Sequence, residues 1–269
     1  MKGSKAAGAV LLAIACAIVI AFLLLPMLAV FFHVEPAALR RQLTSPLALK
    51  ALRLSVTTTF VSLGLIVLFG TPLAYFLSRG SFRGKAVLEV LLQMPIVLPP
   101  AVAGVGLLLV FGRLGWIGRA FSELGIPIAF TATAVVMAQS FVAAPFYIQA
   151  ARAAFGNVDE DLVNVSRTLG VSKLRTFFRV VVPLSFPGLV TGAALSWGRA
   201  LGEFGATIMF AGNLPGKTQT LPLAIYTGMQ TNLGEAVAMS ALLVTVAFLL
   251  LLLVKGVDVW PRFKKGRGA

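Results

Sequence analysis

Two opposite charges inside a long apolar stretch are the first residues that could do chemistry. Arg199 and Glu203 stand four residues apart, with no other charged residue between Arg179 and Lys217, so on a helix they share one face. A charge near a bilayer centre costs about 2.5–3.5 kcal/mol on insertion scales, so the two should face each other, a neighbouring helix or water. They read either as a structural ion pair or as a gate for a charged solute. Pro99 and Pro100 join them as candidate pathway residues, because each proline removes a backbone donor and frees carbonyls that need partners in protein or a hydrated cavity. A bent packing helix would use those prolines equally well. Ala211, Gly216, Lys217 and Thr218 meet a permissive phosphate-loop pattern, but they follow a membrane-length segment and enclose Pro215, whereas such a loop follows a strand and opens a helix. Cys16 is the single cysteine and His33 the single histidine, too few for a metal site or a disulfide. No catalytic residue, metal or cofactor is expected in this chain.

The elements that must position these residues are membrane spans. The chain is 58% hydrophobic and 12% charged, with a mean hydropathy of +0.94, where soluble domains are about a quarter charged. It is expected to be an all-α, multi-pass protein of the cell membrane, in contact with lipid. Its net charge of +14 does not point to nucleic acid, since the basic residues cluster at the ends of apolar segments. Ala6 to Phe32 carries no charge and exceeds the roughly 20 residues a bilayer needs. It is also longer than the core of a cleaved signal peptide, so a retained first helix is expected.

Five further spans are expected over about 54–77, 86–111, 129–151, 188–211 and 236–254, with Pro95, Pro99 and Pro100 breaking the third. The fifth holds Arg199 and Glu203 among Gly188, Gly192, Gly198, Gly202 and Gly205, small residues that let helices approach closely. Residues 212–235 read as an exposed connector. Six spans put both termini on one side. Placing them in the cytoplasm leaves fifteen basic residues inside, including Arg79, Arg152 and the tail's Lys255, Arg262, Lys264, Lys265 and Arg267, against seven outside, the expected bias. A membrane-embedded enzyme would need clustered His, Asp, Glu or Cys. The sequence offers one histidine outside the spans, and Glu203 is taken as the one glutamate within them.

Between the fourth and fifth spans lies a polar, amphipathic island, Asp159 to Pro183. Asp159, Glu160 and Asp161 put negative charge at a helix start, and Leu162, Val165 and Leu169 repeat at helical spacing. Gly170 stops the helix. Ser172 can cap a second one with an apolar face of Leu174, Phe177, Phe178 and Val181. A short exposed helix pair of this kind suits docking into a partner's groove.

This island resembles the cytoplasmic loop of ATP-binding-cassette (ABC) import permeases, E-A-A, three residues, G, nine residues, I-x-L-P. Asn164, Val165 and Ser166 stand at the first positions, Gly170 at the glycine, and Val180, Val182 and Pro183 at the end. Asn164 departs from the signature glutamate, so an ion pair made there is lost and docking would rest on apolar anchors such as Leu169 and Leu174. The run GRALGEFGATIMFAGNLPGKTQTLPLAIYTGMQ, 198–230, together with LRLSVTTT, GTPLAYFLSR, PIVLPPAVAGVGLLLVFGRLG and AQSFVAAPFYIQAARAAF, resembles molybdate permease subunits. Sulfate permeases are similar but differ after the intramembrane glutamate, so GEFGAT at 202–207 favours molybdate or tungstate.

The resemblance implies the type I importer permease fold over 46–254. An N-terminal helix and external connector would occupy 1–45, a cytoplasmic coupling pair about 157–182, and a basic tail 255–269. It also implies a homodimer, two cytoplasmic ABC ATPase subunits that hold the ATP, and an external molybdate-binding protein. A gradient-driven secondary transporter is the rival, to be separated by its lack of need for ATP.

Overall fold

The computed structural model describes the backbone of residues 2–265 and the side chains of 9–254 and Gly256. The side chains of Lys2, Lys5 and the basic tail lie outside the described residues. Among the described residues the elements are helical throughout: α1 (Lys2–Phe32), α2 (Pro36–Thr44), α3 (Pro46–Arg79), α4 (Lys85–Val97), α5 (Pro100–Phe111), α6 (Gly118–Glu123) and α7 (Ala132–Gly156). There follow α8 (Glu160–Thr168), α9 (Lys173–Thr176), a π-helical turn (Phe177–Val181), α10 (Val182–Leu201), α11 (Gly205–Phe210), α12 (Leu221–Thr231) and α13 (Leu233–Lys265). Among the described residues five stretches are long and apolar enough to cross a membrane: Ala9–Phe32, Pro46–Arg79, Ala132–Gly156, Lys173–Leu201 and Leu233–Val254.

The third expected span is broken more sharply than its sequence suggested. Helices α4 and α5 meet at a bend of 112°. Pro95 does not contribute, since it lies inside α4. The break belongs to Pro99 and Pro100: each proline drives the residue before it out of the helical region, and Leu98 and Pro99 accordingly take ψ of 134° and 130°.

The bundle is built around α7. Its contacts with α3 run in register, Ser62 Oγ donating to the Val136 carbonyl at 3.0 Å, Thr71 and Tyr147 hydroxyls 2.6 Å apart, and Arg79 reaching the Phe155 carbonyl at 3.2 Å. The two helices are therefore parallel. Helix α10 runs the other way, with Ser185 Oγ donating to the Ala154 carbonyl at 3.2 Å and Ser196 Oγ to the Ala143 carbonyl at 2.9 Å. Small residues permit this approach. A methyl added at Gly188 would lie 2.5 Å from Ala154 Cβ, and one at Gly192 2.8 Å from Ala150 Cβ. Gly198, included in the same expectation, faces open space.

Two further expectations are corrected. The fifth span does not begin after Pro187 and run to Ala211; a continuous helical stretch from Lys173 ends at Leu201, and α11 is separate. Nor is 212–235 an exposed connector. Thr218, Gln219, Thr220, Leu221 and Leu223 are buried, 221–231 is helical, and Leu221 N–H donates to Ser55 Oγ at 2.7 Å. Polar composition misled because the run folds onto the bundle with many of its polar groups paired among themselves: Thr218 Oγ1 accepts from Leu214 N–H at 3.0 Å and Gln219 Nε2 donates to Asn213 Oδ1 at 3.0 Å.

Candidate functional site

The island folds as a helical hairpin. Asp159 caps α8, its carboxylate accepting from Asp161 N–H at 2.9 Å, and the acidic first turn complements the helix dipole. At the other end Gly170 has φ +81°. Its N–H donates to the Arg167 carbonyl at 3.0 Å, and Val171 N–H donates to the Ser166 carbonyl at 3.2 Å. These are the two bonds of a Schellman close, which needs the left-handed conformation glycine adopts freely. Ser172 sits at the α9 N-cap position but its side chain makes no capping bond. The hairpin is pinned instead by Ser166 Oγ and the buried Thr176 Oγ1, 3.0 Å apart.

The hairpin's apolar residues divide into two sets. Val163, Phe177 and Val181 turn inward onto a core with Tyr75, Phe155 and Val158, where Phe177 packs edge-on to Tyr75 at 4.8 Å between ring centroids. Leu162, Val165, Leu169, Leu174 and Phe178 are exposed. The sequence placed Leu174, Phe177, Phe178 and Val181 on one face; the π turn at Phe177–Val181 rotates Phe177 and Val181 into the core and leaves Leu174 and Phe178 outside. Pro183 follows at the start of α10, and Asn164 is exposed.

Arg79, read from the sequence only as a cytoplasmic charge, holds the hairpin to the bundle. Its guanidinium donates to the Phe155 and Val158 carbonyls at 3.2 and 2.8 Å and pairs with Glu160 at 3.0 Å. A basic residue ending one helix beside the last carbonyls of a parallel one was the available signal, but it required knowing that α3 and α7 are neighbours. Glu89 was passed over altogether. It lies on α4 and pairs with Arg152 of α7.

The four candidate pathway residues come from two helix breaks, and the structure brings those breaks together. Glu203 lies beyond the end of α10 rather than in mid-helix. Its Oε2 is 2.8 Å from Arg199 Nη1, and its Oε1 accepts from Ala206 N–H at 2.7 Å, satisfying a donor at the start of α11. Glu203 is 1% exposed, whereas Arg199 is 26% exposed on its side chain, so one partner is interior and the other lies at the surface of the chain. Gly205 packs on the elbow between α4 and α5: a methyl there would lie 2.8 Å from Pro100 Cβ. One at Gly104 would lie 2.6 Å from the Ala206 carbonyl oxygen. Helices α5 and α11 thus touch backbone to backbone beside the ion pair, a geometry in which moving one break must move the other.

Residues 66–260 match the family model of binding-protein-dependent transport system inner membrane components. The chain is 43% identical over 233 residues to the molybdenum transport system permease protein ModB of Mycobacterium tuberculosis, covering 87% of this chain and 88% of that one. It is 39% identical over 206 residues to ModB of Escherichia coli K12, covering 76% and 90%. Among solved structures, a chain of a bacterial ABC transporter that imports alginate matches with a TM-score of 0.71 at 14% identity, covering 93% and 94%, a likeness of fold. A chain of the MetNI methionine ABC transporter matches with a TM-score of 0.55 at 18% identity, covering 78% and 92%. A family match over well more than half of the chain, joined to an exposed hairpin and a bundle of membrane-length helices, leads to one conclusion: the chain belongs to the binding-protein-dependent transport system inner membrane components.

Proposed function

We propose that this chain is the membrane-spanning subunit of an ATP-driven importer for molybdate, with tungstate as a related cargo. The observation that carries the substrate class is the similarity, over most of both chains, to permeases named for molybdenum transport. The docking hairpin supports the motor. Leu162, Val165, Leu169, Leu174 and Phe178 are exposed apolar residues with no partner among the described residues, as a helix pair seated in another subunit's groove requires. Two copies of the chain would pair with two cytoplasmic ABC ATPase subunits, which bind the ATP, and with an external binding protein that delivers the oxyanion. Asp159, Ser166 and Gly170 shape the hairpin, Leu169 and Leu174 anchor it, and Pro183 starts the helix that carries its motion into the membrane. Arg199, Glu203, Pro99 and Pro100 form the gate region.

Six crossings with both termini in the cytoplasm fit the packing. Because α3 and α7 are parallel, with Arg79 and Phe155 at the same end, the chain between them must return across the bilayer. The bent α4–α5 pair is the segment available to do it. Its half-helices of 13 and 12 residues bent by 112° rise at most about 21 Å together when tilted equally, short of the roughly 30 Å hydrocarbon layer. The elbow therefore belongs inside protein or beside a hydrated path, where unwound backbone is tolerated. Closure of the ATPase pair would swing the hairpins and reorient the helices between inward-open and outward-open states.

Reconstitution with the ATPase and binding protein tests this function. Binding protein loaded with molybdate should stimulate ATP hydrolysis and drive uptake into the vesicle interior that corresponds to the cytoplasm. Stimulation by sulfate-loaded protein alone would move the substrate assignment, and uptake driven by an ion gradient without ATP would overturn it.

A further inference from the structure

We propose that the ion pair between Glu89 and Arg152 is a latch through which motion of the docking hairpin reaches the Pro99–Pro100 elbow; this rests on the importer function proposed for the chain. Helix α4 has no buried residue, and only Leu88 and Leu92 pack against the core around α7. Among the described residues, Glu89–Arg152 is the one ion pair or side-chain hydrogen bond that ties α4 to another helix. Lys85 Nζ, the other polar contact of α4, donates to the Gly80 carbonyl in the turn just before it. Within one copy of the chain, that pair is therefore the one polar side-chain tie that fixes α4 against α7.

Both ends of the latch lead somewhere functional. Arg152 lies one turn before Phe155, whose carbonyl accepts from Arg79 as Arg79 also grips Glu160 at the base of the hairpin. From Glu89 the rest of α4 runs about 12 Å to Val97, and the next residues are the elbow, where Pro100 abuts Gly205 beside the Arg199–Glu203 pair. A displacement of the cytoplasmic end of α7 can therefore reach the elbow along α4 through this charged contact, beside the apolar contacts of Leu88 and Leu92. The Arg152 and Glu89 side chains are 37% and 22% exposed, while the Glu89 Oε1 that faces Arg152 is itself buried, so the contact is shielded and holds α4 to α7 at a defined point. Gln93 and Gln149, one turn along each helix, line the same small cleft and carry no charge that could replace either partner.

The test uses the complete reconstituted complex and compares Glu89→Gln, Arg152→Gln and the swapped double variant Glu89→Arg/Arg152→Glu with the wild type. The readouts are copurified ATPase, hydrolysis stimulated by molybdate-loaded binding protein, and molybdate taken up per ATP hydrolysed. In the single variants, assembly and hydrolysis should stay within about twofold of wild type while uptake per ATP falls at least about fivefold, and the swap should restore most of the ratio. If Glu89→Gln fails to accumulate, Glu89→Asp, which keeps the charge and shortens its reach, should show the same fall. An unchanged ratio in the single variants, a parallel loss of hydrolysis and uptake at constant ratio, or a swap that restores nothing would each overturn the latch. A wild-type complex without stimulated hydrolysis would overturn the importer function and the latch with it.

Discussion

Leu174→Asp tests the docking hairpin with little disturbance to the chain itself. Leu174 is 70% exposed, so in the free subunit its replacement removes almost no packing and should shift stability by about 0.5 kcal/mol or less. Docked in a groove, a leucine contributes about 1.5–3 kcal/mol when fully buried, and the share still open here leaves about 1–2 kcal/mol for the partner to gain. Two hairpins in the proposed assembly double that to about 2–4 kcal/mol, or about 30- to 700-fold in the assembly constant at 1.4 kcal/mol per decade. Burying the new carboxylate acts in the same direction. The assay is titration of the ATPase onto the detergent-solubilised subunit, with Leu114→Asp as the matched control. Leu114 is 94% exposed but belongs to the loop after α5, on the far side by the proposed topology, so its change should leave ATPase affinity alone. An affinity for Leu174→Asp within about twofold of wild type, in a subunit that melts normally, would refute the assignment.

Three other substitutions probe the rest of the site. Glu203→Gln leaves Arg199 without its counter-charge and weakens the cap on α11; thermal melting in detergent should show a loss toward the low end of about 3–5 kcal/mol, since Arg199 is partly exposed. The double variant Arg199→Gln/Glu203→Gln should recover part of it, and strict additivity would mean that the pair contributes nothing. Gly104→Ala must push against the Ala206 backbone and should destabilise by about 1–3 kcal/mol, while Gly106→Ala, which meets open space, should be tolerated in the same melting assay. For sidedness, in a Cys16→Ser background, a membrane-impermeant thiol reagent applied from outside should label Lys217→Cys and spare Lys173→Cys; the reverse pattern would invert the topology.

Much of the hairpin was legible because its rules act over a few residues. A glycine where the chain must adopt positive φ, an acidic cap, and leucines at helical spacing all describe local geometry, and α8 and Gly170 stand where those signals put them. The split of Phe177 from Phe178 was not legible, since a π turn depends on what the helix packs against. The same holds for Arg79. Its clamp is made to carbonyls some eighty residues away, and nothing in the local sequence distinguishes it from any other arginine at the end of a span.

Taken alone, the amino-acid order determined the solvent this chain folds in, the presence of several membrane-length segments, the likeness to import permeases and the position of the Gly170 turn. Those follow from hydropathy, charge bias and backbone chemistry, which are properties of short stretches. Tertiary packing decided the rest. It set Glu203 past the end of a helix rather than within one, drew Pro100 against Gly205, buried the polar run at 218–220, and paired Glu89 with Arg152. The Pro100–Gly205 contact and the Glu89–Arg152 pair depend on which distant helix supplies a neighbour. A polar or charged group in a membrane protein is placed where a partner can satisfy it, and packing decides whether that partner lies nearby in the chain, as Arg199 does for Glu203, or on a distant helix, as Arg152 does for Glu89.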